Sequence, residues 1–143
     1  MGLDNIPREY PCKKQMTAIL DDEGRIDCDK TQEVGGCPWQ NANPPKEGRV
    51  YGIMGTSCWY RGKYGNHLIE EAGIEGDEES GMSFYGNLDD GCYKTPDSCL
   101  ALADAIGESL VDVDDKETRE GLAYAEWYLR WAAENADGLN CWY

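Results

Sequence analysis

The clearest pattern of apolar and polar positions lies near the end of the chain and predicts a long helix. One face of this helix is apolar at helical spacing, with Leu122, Ala125, Leu129, Ala132, Ala133 and Ala136. The opposite face carries charges at i, i+4 spacing, at Glu126, Arg130 and Glu134. Asp114 and Glu117 have the spacing of a capping box, and Gly138 stands where the helix should end. We therefore expect a helix over residues 115–136 with one buried and one solvated face.

A second apolar stripe on the same predicted helix is aromatic. Its members, also at helical spacing, are Tyr124, Trp127, Tyr128 and Trp131. With this stripe the helix is apolar around most of its circumference, so it either lies between two layers or presents rings to a partner. We expect the first arrangement, with the rings packed on strands of the first half of the chain.

Two shorter helices are predicted upstream. Thr95 followed by Pro96 is typical of a helix start, because threonine can cap the first turn and proline fits the first helical position. The apolar positions of that helix are Cys99, Leu100, Leu102, Ala103 and Ile106. Asn66 is placed to cap a two-turn helix over residues 67–72, which Gly73 should stop.

The first half of the chain, up to about residue 64, has no helical period and is interrupted by glycine and proline. Such a pattern predicts short strands and ordered loops. We expect a turn at residues 21–24 that ends in Gly24, flanked by strands. The predicted strands cover residues 16–20, 25–28, 49–54 and 57–60.

These elements predict an α+β fold in one domain, residues 1–143. A strand- and loop-rich half with cysteines, residues 1–64, should pack on the two longer helices of an acidic half, residues 65–143. A chain of 143 residues can bury about two thirds of its unfolded surface without crosslinks.

The charge of the chain indicates which partners it can bind. The net charge is -15, and residues 61–143 hold 19 acidic against 6 basic side chains. Such a charge repels nucleic acid and anionic membranes and attracts basic protein surfaces. A halophilic origin would give the same composition.

The densest acidic run lies between residues 70 and 90. It places eight carboxylates in 21 residues with no intervening base: Glu70, Glu71, Glu75, Asp77, Glu78, Glu79, Asp89 and Asp90. Duplex DNA carries one phosphate charge per about 1.7 Å of axis, so an ordered run of this kind would imitate a short stretch of phosphates. These eight residues are the predicted partner-binding site.

The start of the chain has acids where a signal peptide has bases, and no segment is apolar over the roughly 20 residues of a membrane span. We therefore expect a cytoplasmic protein, whose seven cysteines would stay reduced. The candidate metal ligands are the four cysteines of the first half: Cys12, Cys28, Cys37 and Cys58. Their spacing lacks the short knuckle of zinc ribbons and fingers. Structural zinc, free buried thiols, and a disulfide or redox role all remain open.

Two further motifs are candidate sites of chemistry. Ser57, Cys58 and Trp59 resemble the nucleophile segment of papain-like proteases, but the sole histidine, His67, gives no matching catalytic set, so we predict no catalytic residue. Aromatic and basic residues alternate in the same region. That mixture suits stacking on a base while holding a phosphate, and its candidate ligand-binding residues are Trp59, Tyr60, Arg61, Lys63 and Tyr64.

The sequence therefore predicts a small acidic interaction protein without catalytic activity, whose partner is a basic protein surface. A nucleic-acid-binding protein fits best, with the chain acting as a nucleic-acid mimic in the way that small acidic phage inhibitors block host defence proteins. We expect neither nucleic acid nor membrane to bind directly. A small-ligand or nucleotide-binding protein and a Cys58-dependent enzyme are the alternatives.

Overall fold

The computed structural model describes residues 3–42, 45, 58–74, 82–85 and 92–142. The strands in this part of the chain are β1 (Asp4–Pro7), β2 (Tyr60–Arg61), β3 (Tyr93–Lys94) and β4 (Leu139–Trp142). The helices are α1 (Pro11–Lys14), α2 (Cys28–Glu33), α3 (Gly62–Glu71), α4 (Pro96–Ser109) and α5 (Lys116–Asn135). A 3₁₀ turn, Leu110–Asp112, joins α4 to α5. The fold is α+β, with the two longest helices packed together, as predicted.

The four strands form one antiparallel sheet in the order β2-β1-β4-β3. At its centre the two ends of the described chain pair, with Asp4 opposite Trp142 and Pro7 opposite Leu139. This sheet lies largely outside the strands predicted from sequence. Residues 49–54 fall outside the described residues, and the prediction for 57–60 meets the sheet only at Tyr60.

The predicted hairpin around residues 21–24 is reduced to its turn. One antiparallel bridge, between Leu20 and Ile26, is all the pairing that the flanking segments make, whereas the turn itself forms as expected. Gly24 has a φ of 81°, and the Asp21 carboxylate accepts the backbone N–H groups of Glu23 and Arg25 at 2.9 Å. Leu20 is half exposed and Met16 almost fully exposed, so these segments bury little apolar surface and gain little from a sheet.

Helices α4 and α5 confirm the sequence predictions closely. Thr95 Oγ1 accepts the Ser98 N–H at 3.1 Å at the start of α4, as its capping role requires. The N-cap of α5 is Asp115 rather than Asp114, because it is the Asp115 carboxylate that accepts the Thr118 N–H, at 2.9 Å. The predicted core face of α5 is fully buried except at Ala133, which is half-buried.

Helix α3 begins at Gly62, five residues earlier than predicted, and Asn66 lies inside it. Asn66 does not cap the helix; its Oδ1 accepts the Phe84 N–H at 2.7 Å. The early start depends on two glycines that let the helix approach its neighbours closely, Gly62 against the side chains of Leu3 and Asn5 and Gly65 against buried rings. A Cβ on Gly65 would come 2.7 Å from Phe84 Cδ2 and 2.9 Å from Tyr60 Cε1. Close packing therefore outweighs the poor helix propensity of glycine. Gly73, with a φ of 75°, follows the end of the helix as predicted.

The aromatic stripe of α5 is part of the core. Trp39, from the first half, lies with its ring centroid 5.5 Å from Trp127 and 5.0 Å from Trp131. Tyr60 of β2 stacks on Tyr128 at 5.0 Å. The first half of the chain covers this face of α5, as expected, although it does so with a turn and a short strand. Within the described chain, no helix has both the length and the apolar character needed to span a bilayer.

Candidate functional site

Four cysteines of the first half line one cavity, which we call the thiol cavity. They are the four singled out from the sequence: Cys12, Cys28, Cys37 and Cys58. The cavity has a volume of about 480 Å³, and its other walls include the rings of Tyr10, Trp39 and Trp59. The cysteines come from α1, the start of α2, the turn after α2 and the residues before β2. The fold thus brings together residues up to 46 positions apart in the chain.

Polar contacts of the loops hold this arrangement. The Trp59 indole N–H donates to the Tyr10 hydroxyl at 3.0 Å, which ties the residues before β2 to the start of α1. The Thr17 hydroxyl donates to the carbonyl of Gly36, beside Cys37. The Thr31 hydroxyl donates to the Asp27 carbonyl at 2.7 Å and accepts the Ile19 N–H at 2.9 Å, so α2 is joined to the segment after α1.

Three of the four cavity thiols have a raised pKa. Burial raises the pKa of Cys12, Cys28 and Cys58, and the neighbouring cysteines raise it further. The effect is largest at Cys58, which is 7% exposed. These thiols therefore keep their protons at neutral pH and are poor nucleophiles. In the part of the chain that is described, no three His, Cys, Asp or Glu side chains are grouped to hold a metal ion as they stand.

Cys58 lacks the partner that a catalytic cysteine needs. The sole histidine, His67, lies on the exposed side of α3, where its Nε2 is 3.1 Å from Glu71 Oε1. It is not among the described residues that line the thiol cavity. The structure does not bring Cys58 and His67 together in one site.

A second hollow, which we call the acidic concavity, lies between the end of α3 and the start of α5. It has a volume of about 410 Å³, and four carboxylates line it: Glu71, Asp112, Asp114 and Asp115. Its other described walls are Ala72, Val113 and Thr118, so no lysine or arginine is among the described lining residues. Two of the eight predicted partner-binding residues, Glu70 and Glu71, are described by the structure, and Glu71 lines this concavity.

The walls of the acidic concavity are fixed by short contacts. The Thr118 hydroxyl lies 2.8 Å from Asp115 Oδ2 and 3.3 Å from Glu71 Oε2, so it links α5 to the end of α3. Donation from the Thr118 N–H and hydroxyl lowers the pKa of Asp115, which keeps that carboxylate charged. The Arg119 guanidinium donates to the carbonyls of Val113 and Asp114 at 3.1 and 3.0 Å. The loop between the 3₁₀ turn and α5 is therefore held in place.

The remaining predicted partner-binding residues are less informative. Glu70 is exposed on α3, next to Glu71. The other six lie outside the described residues: Glu75, Asp77, Glu78, Glu79, Asp89 and Asp90. The three aspartates of the concavity are not among the partner-binding residues predicted from sequence, which assigned Asp114 to a helix cap. The sequence shows that these aspartates lie at or just before the start of a predicted helix, but it does not show that they lie close to Glu71 in space.

The candidate ligand-binding segment is divided by the fold. Trp59 faces the thiol cavity, Tyr60 is 1% exposed in the core, and the other members are exposed: Arg61, Lys63 and Tyr64. The Tyr60 ring is packed against Phe84 and Tyr128 and is not accessible to a ligand. These five side chains do not form one surface.

Comparisons with protein-family models, with curated proteins and with solved structures give no match to this chain. The two hollows are therefore interpreted from their own residues.

Proposed function

We propose that the protein is a non-catalytic interaction protein whose acidic concavity binds a basic protein surface. One observation carries the proposal: the end of α3, the 3₁₀ turn and the residues just before α5 all contribute carboxylates to the same hollow. No described base lines that hollow, and the whole chain has a net charge of -15. Clefts lined by one sign of charge focus the electrostatic field and attract ligands of the opposite sign.

The concavity suits a lysine or arginine side chain of a partner. Its carboxylates are held before binding, through Thr118 and through the Arg119 contacts with the loop. A site that is ordered in advance loses less entropy when its partner binds. Because the carboxylates are near the surface, binding should weaken as salt is added and should depend chiefly on the association rate.

The class of partner that fits best is a protein that itself binds nucleic acid. Such a protein has a basic groove built to meet a high density of phosphate charge. In this proposal the acidic concavity takes the place of phosphates, and duplex DNA competes with the chain for the same groove. The biological consequence would be inhibition of the partner.

The non-catalytic part of the proposal is supported by the state of the thiols. The Cys58 thiol is buried with a raised pKa and has no histidine beside it among the described residues, so it lacks the activation that a nucleophile needs.

The test is to capture partners from lysate of the source cells, treated with nuclease, on three immobilised forms of the protein. The site variant neutralises three acids of the concavity: Glu71→Gln, Asp112→Asn and Asp114→Asn. Asp115 is kept because it caps α5. The control variant neutralises three exposed acids elsewhere: Asp22→Asn, Glu33→Gln and Glu134→Gln. Both variants change the net charge by the same amount.

We expect a basic protein to bind the wild type and the control variant and to be released by duplex DNA. Each exposed ion pair contributes about 0.2–1 kcal/mol, so the site variant should bind about 3- to 150-fold more weakly. Equal binding of the site and control variants would contradict a role for the concavity. If duplex DNA did not release the partner, nucleic-acid mimicry would be contradicted. The binding of a basic surface by the concavity would not be.

A further inference from the structure

The thiol cavity selects four of the seven cysteines and leaves the other three elsewhere. Cys99 and Cys141 are buried in the core, and Cys141 Sγ lies 3.2 Å from the Phe84 carbonyl oxygen. The four cavity cysteines, by contrast, come from four separate segments of the chain and line the same hollow. We propose that the thiol cavity is a zinc site with Cys12, Cys28, Cys37 and Cys58 as its four ligands.

The donor set determines the class of metal. Four sulfur ligands form the closed tetrahedral set typical of structural zinc, with Zn–S bonds of about 2.3 Å. No aspartate or glutamate is found among the described walls of the cavity. Calcium and magnesium require oxygen ligands, so this site would discriminate against both. All four positions are filled by protein, which favours a structural role over catalysis.

The charge of the surroundings also suits such a site. Zinc with four thiolates carries a net charge of -2, and this excess needs nearby positive charge. Lys13 and Arg25 both line the thiol cavity, although the chain as a whole has more than two acids for each base. The Arg25 guanidinium is paired with Glu23 at 2.8 Å, so Lys13 is the more effective of the two.

A backbone donor points to one of these sulfur atoms. The Gln40 N–H donates to Cys37 Sγ at 3.4 Å. Hydrogen bonds to a ligand atom stabilise its charged form and orient it toward the metal. Trp59, held by Tyr10, shields one side of the cavity from water.

Binding requires a local rearrangement of the thiols. They are not grouped to hold a metal as they stand, so the side chains, and the loops that carry them, must close on the ion across the cavity. Each thiol releases its proton to solvent as its sulfur bonds to zinc, so one Zn²⁺ displaces four protons. Cys28 is exposed and Cys37 half-buried, so these two side chains are the freest to close on the metal.

The role of the metal follows from what the ligands connect. Helices α1 and α2 have 4 and 6 residues, far fewer than an isolated helix needs for stability. Most side chains in residues 13–30 are exposed, so little apolar burial holds this region together. One zinc ion would crosslink α1, α2, the turn that carries Trp39, and the start of β2. Zinc binding would thus stabilise the part of the first half that packs on the aromatic stripe of α5.

The test uses the full chain, expressed with zinc in the medium and purified under reducing conditions without chelator. The site variant is Cys28→Ser, because Cys28 is exposed and its replacement opens no cavity. The control is Cys92→Ser, a half-buried cysteine that does not line the thiol cavity. We expect about one zinc per chain in the wild type and in the control, and less than about a tenth of that in the site variant.

Two further readouts distinguish a bound metal from free or oxidised thiols. In the native wild type, four thiols should be protected from a thiol reagent and become reactive after chelation, and cobalt should give the thiolate-to-metal absorption of a tetrahedral site. A folded wild type that carries no zinc, and whose thiol reactivity is the same with and without chelator, would overturn the proposal. So would two disulfides among the four cysteines, or a Cys28→Ser variant that keeps its full zinc content. None of these outcomes bears on the acidic concavity, whose test is separate.

Discussion

Gly65→Ala tests the placement of α3, the helix that carries Glu71 to the acidic concavity. The helix predicted from sequence starts two residues after Gly65, where an added methyl group would meet little. In the structure Gly65 is inside α3 and buried. A Cβ there contacts Phe84 and lies 2.9 Å from Tyr60 Cε1, and both rings are almost completely buried.

Two opposing effects set the magnitude. Alanine in place of glycine in a helix interior stabilises the fold by about 1 kcal/mol. Overpacking of a filled core costs about 1–3 kcal/mol, and rigid rings on two sides put this site in the upper part of that range. We expect a net destabilisation of about 1–2 kcal/mol, or a fall in Tm of about 2 to 8 °C for a chain of this size.

The assay is thermal unfolding followed by circular dichroism, with Gly107→Ala as the matched control. Gly107 is also helical, but the nearest atom to its Cβ is the end of the Glu126 side chain, which can move aside. Gly107→Ala should therefore be neutral or stabilising. A Gly65→Ala protein as stable as the Gly107→Ala protein would refute the close contact of α3 with Phe84 and Tyr60.

Three other predictions concern stability. Leu129→Ala should lower the free energy of unfolding by about 2–5 kcal/mol in urea denaturation, because Leu129 is fully buried on α5. A change within error would mean that the core face of α5 is wrongly assigned. Thr95→Ala should cost about 1 kcal/mol through loss of the α4 cap, whereas Ser98→Ala, which keeps the backbone donor, should cost less. Burial raises the pKa of Cys99 from 9.0 to about 12, so its contribution to stability is complete below pH 9 and is lost as the pH rises toward 12. Between pH 10 and 11, Cys99→Ala should therefore lose about 1.4 kcal/mol less stability than the wild type, and parallel pH profiles would contradict this.

The long helices could be predicted because their determinants are local. Thr95 and Pro96 start α4, and the apolar period of α5 spans five turns, so neither depends on knowing the rest of the fold. The start of α3 could not be predicted, because its glycines look like breakers until the position of Phe84 is known. The sheet was missed for a related reason. Its strands have two to four residues, and the central pair joins Asp4 to Trp142.

The candidate sites were predicted in part. The four cysteines were identified by residue type, but their spacing carries no knuckle, and only the fold shows that they share a cavity. For the acidic site, the sequence drew attention to one contiguous run of acids. The fold instead places Glu71, from that run, beside aspartates about 40 residues later in the chain. Where the ends of helices converge, acidic residues that are distant in sequence can share one site, so a contiguous run of acids does not by itself locate that site.

The most direct test of the central claim is to map where a basic ligand binds. A lysine- and arginine-rich peptide is titrated into the isotopically labelled protein at low salt, and the backbone amide shifts are followed by NMR. We expect the largest changes on the acidic concavity, at Glu71, Ala72, Asp112, Val113, Asp114, Asp115 and Thr118, and we expect added salt to reverse them. Shift changes spread evenly over all exposed acids, or centred on another surface such as α2, would contradict it.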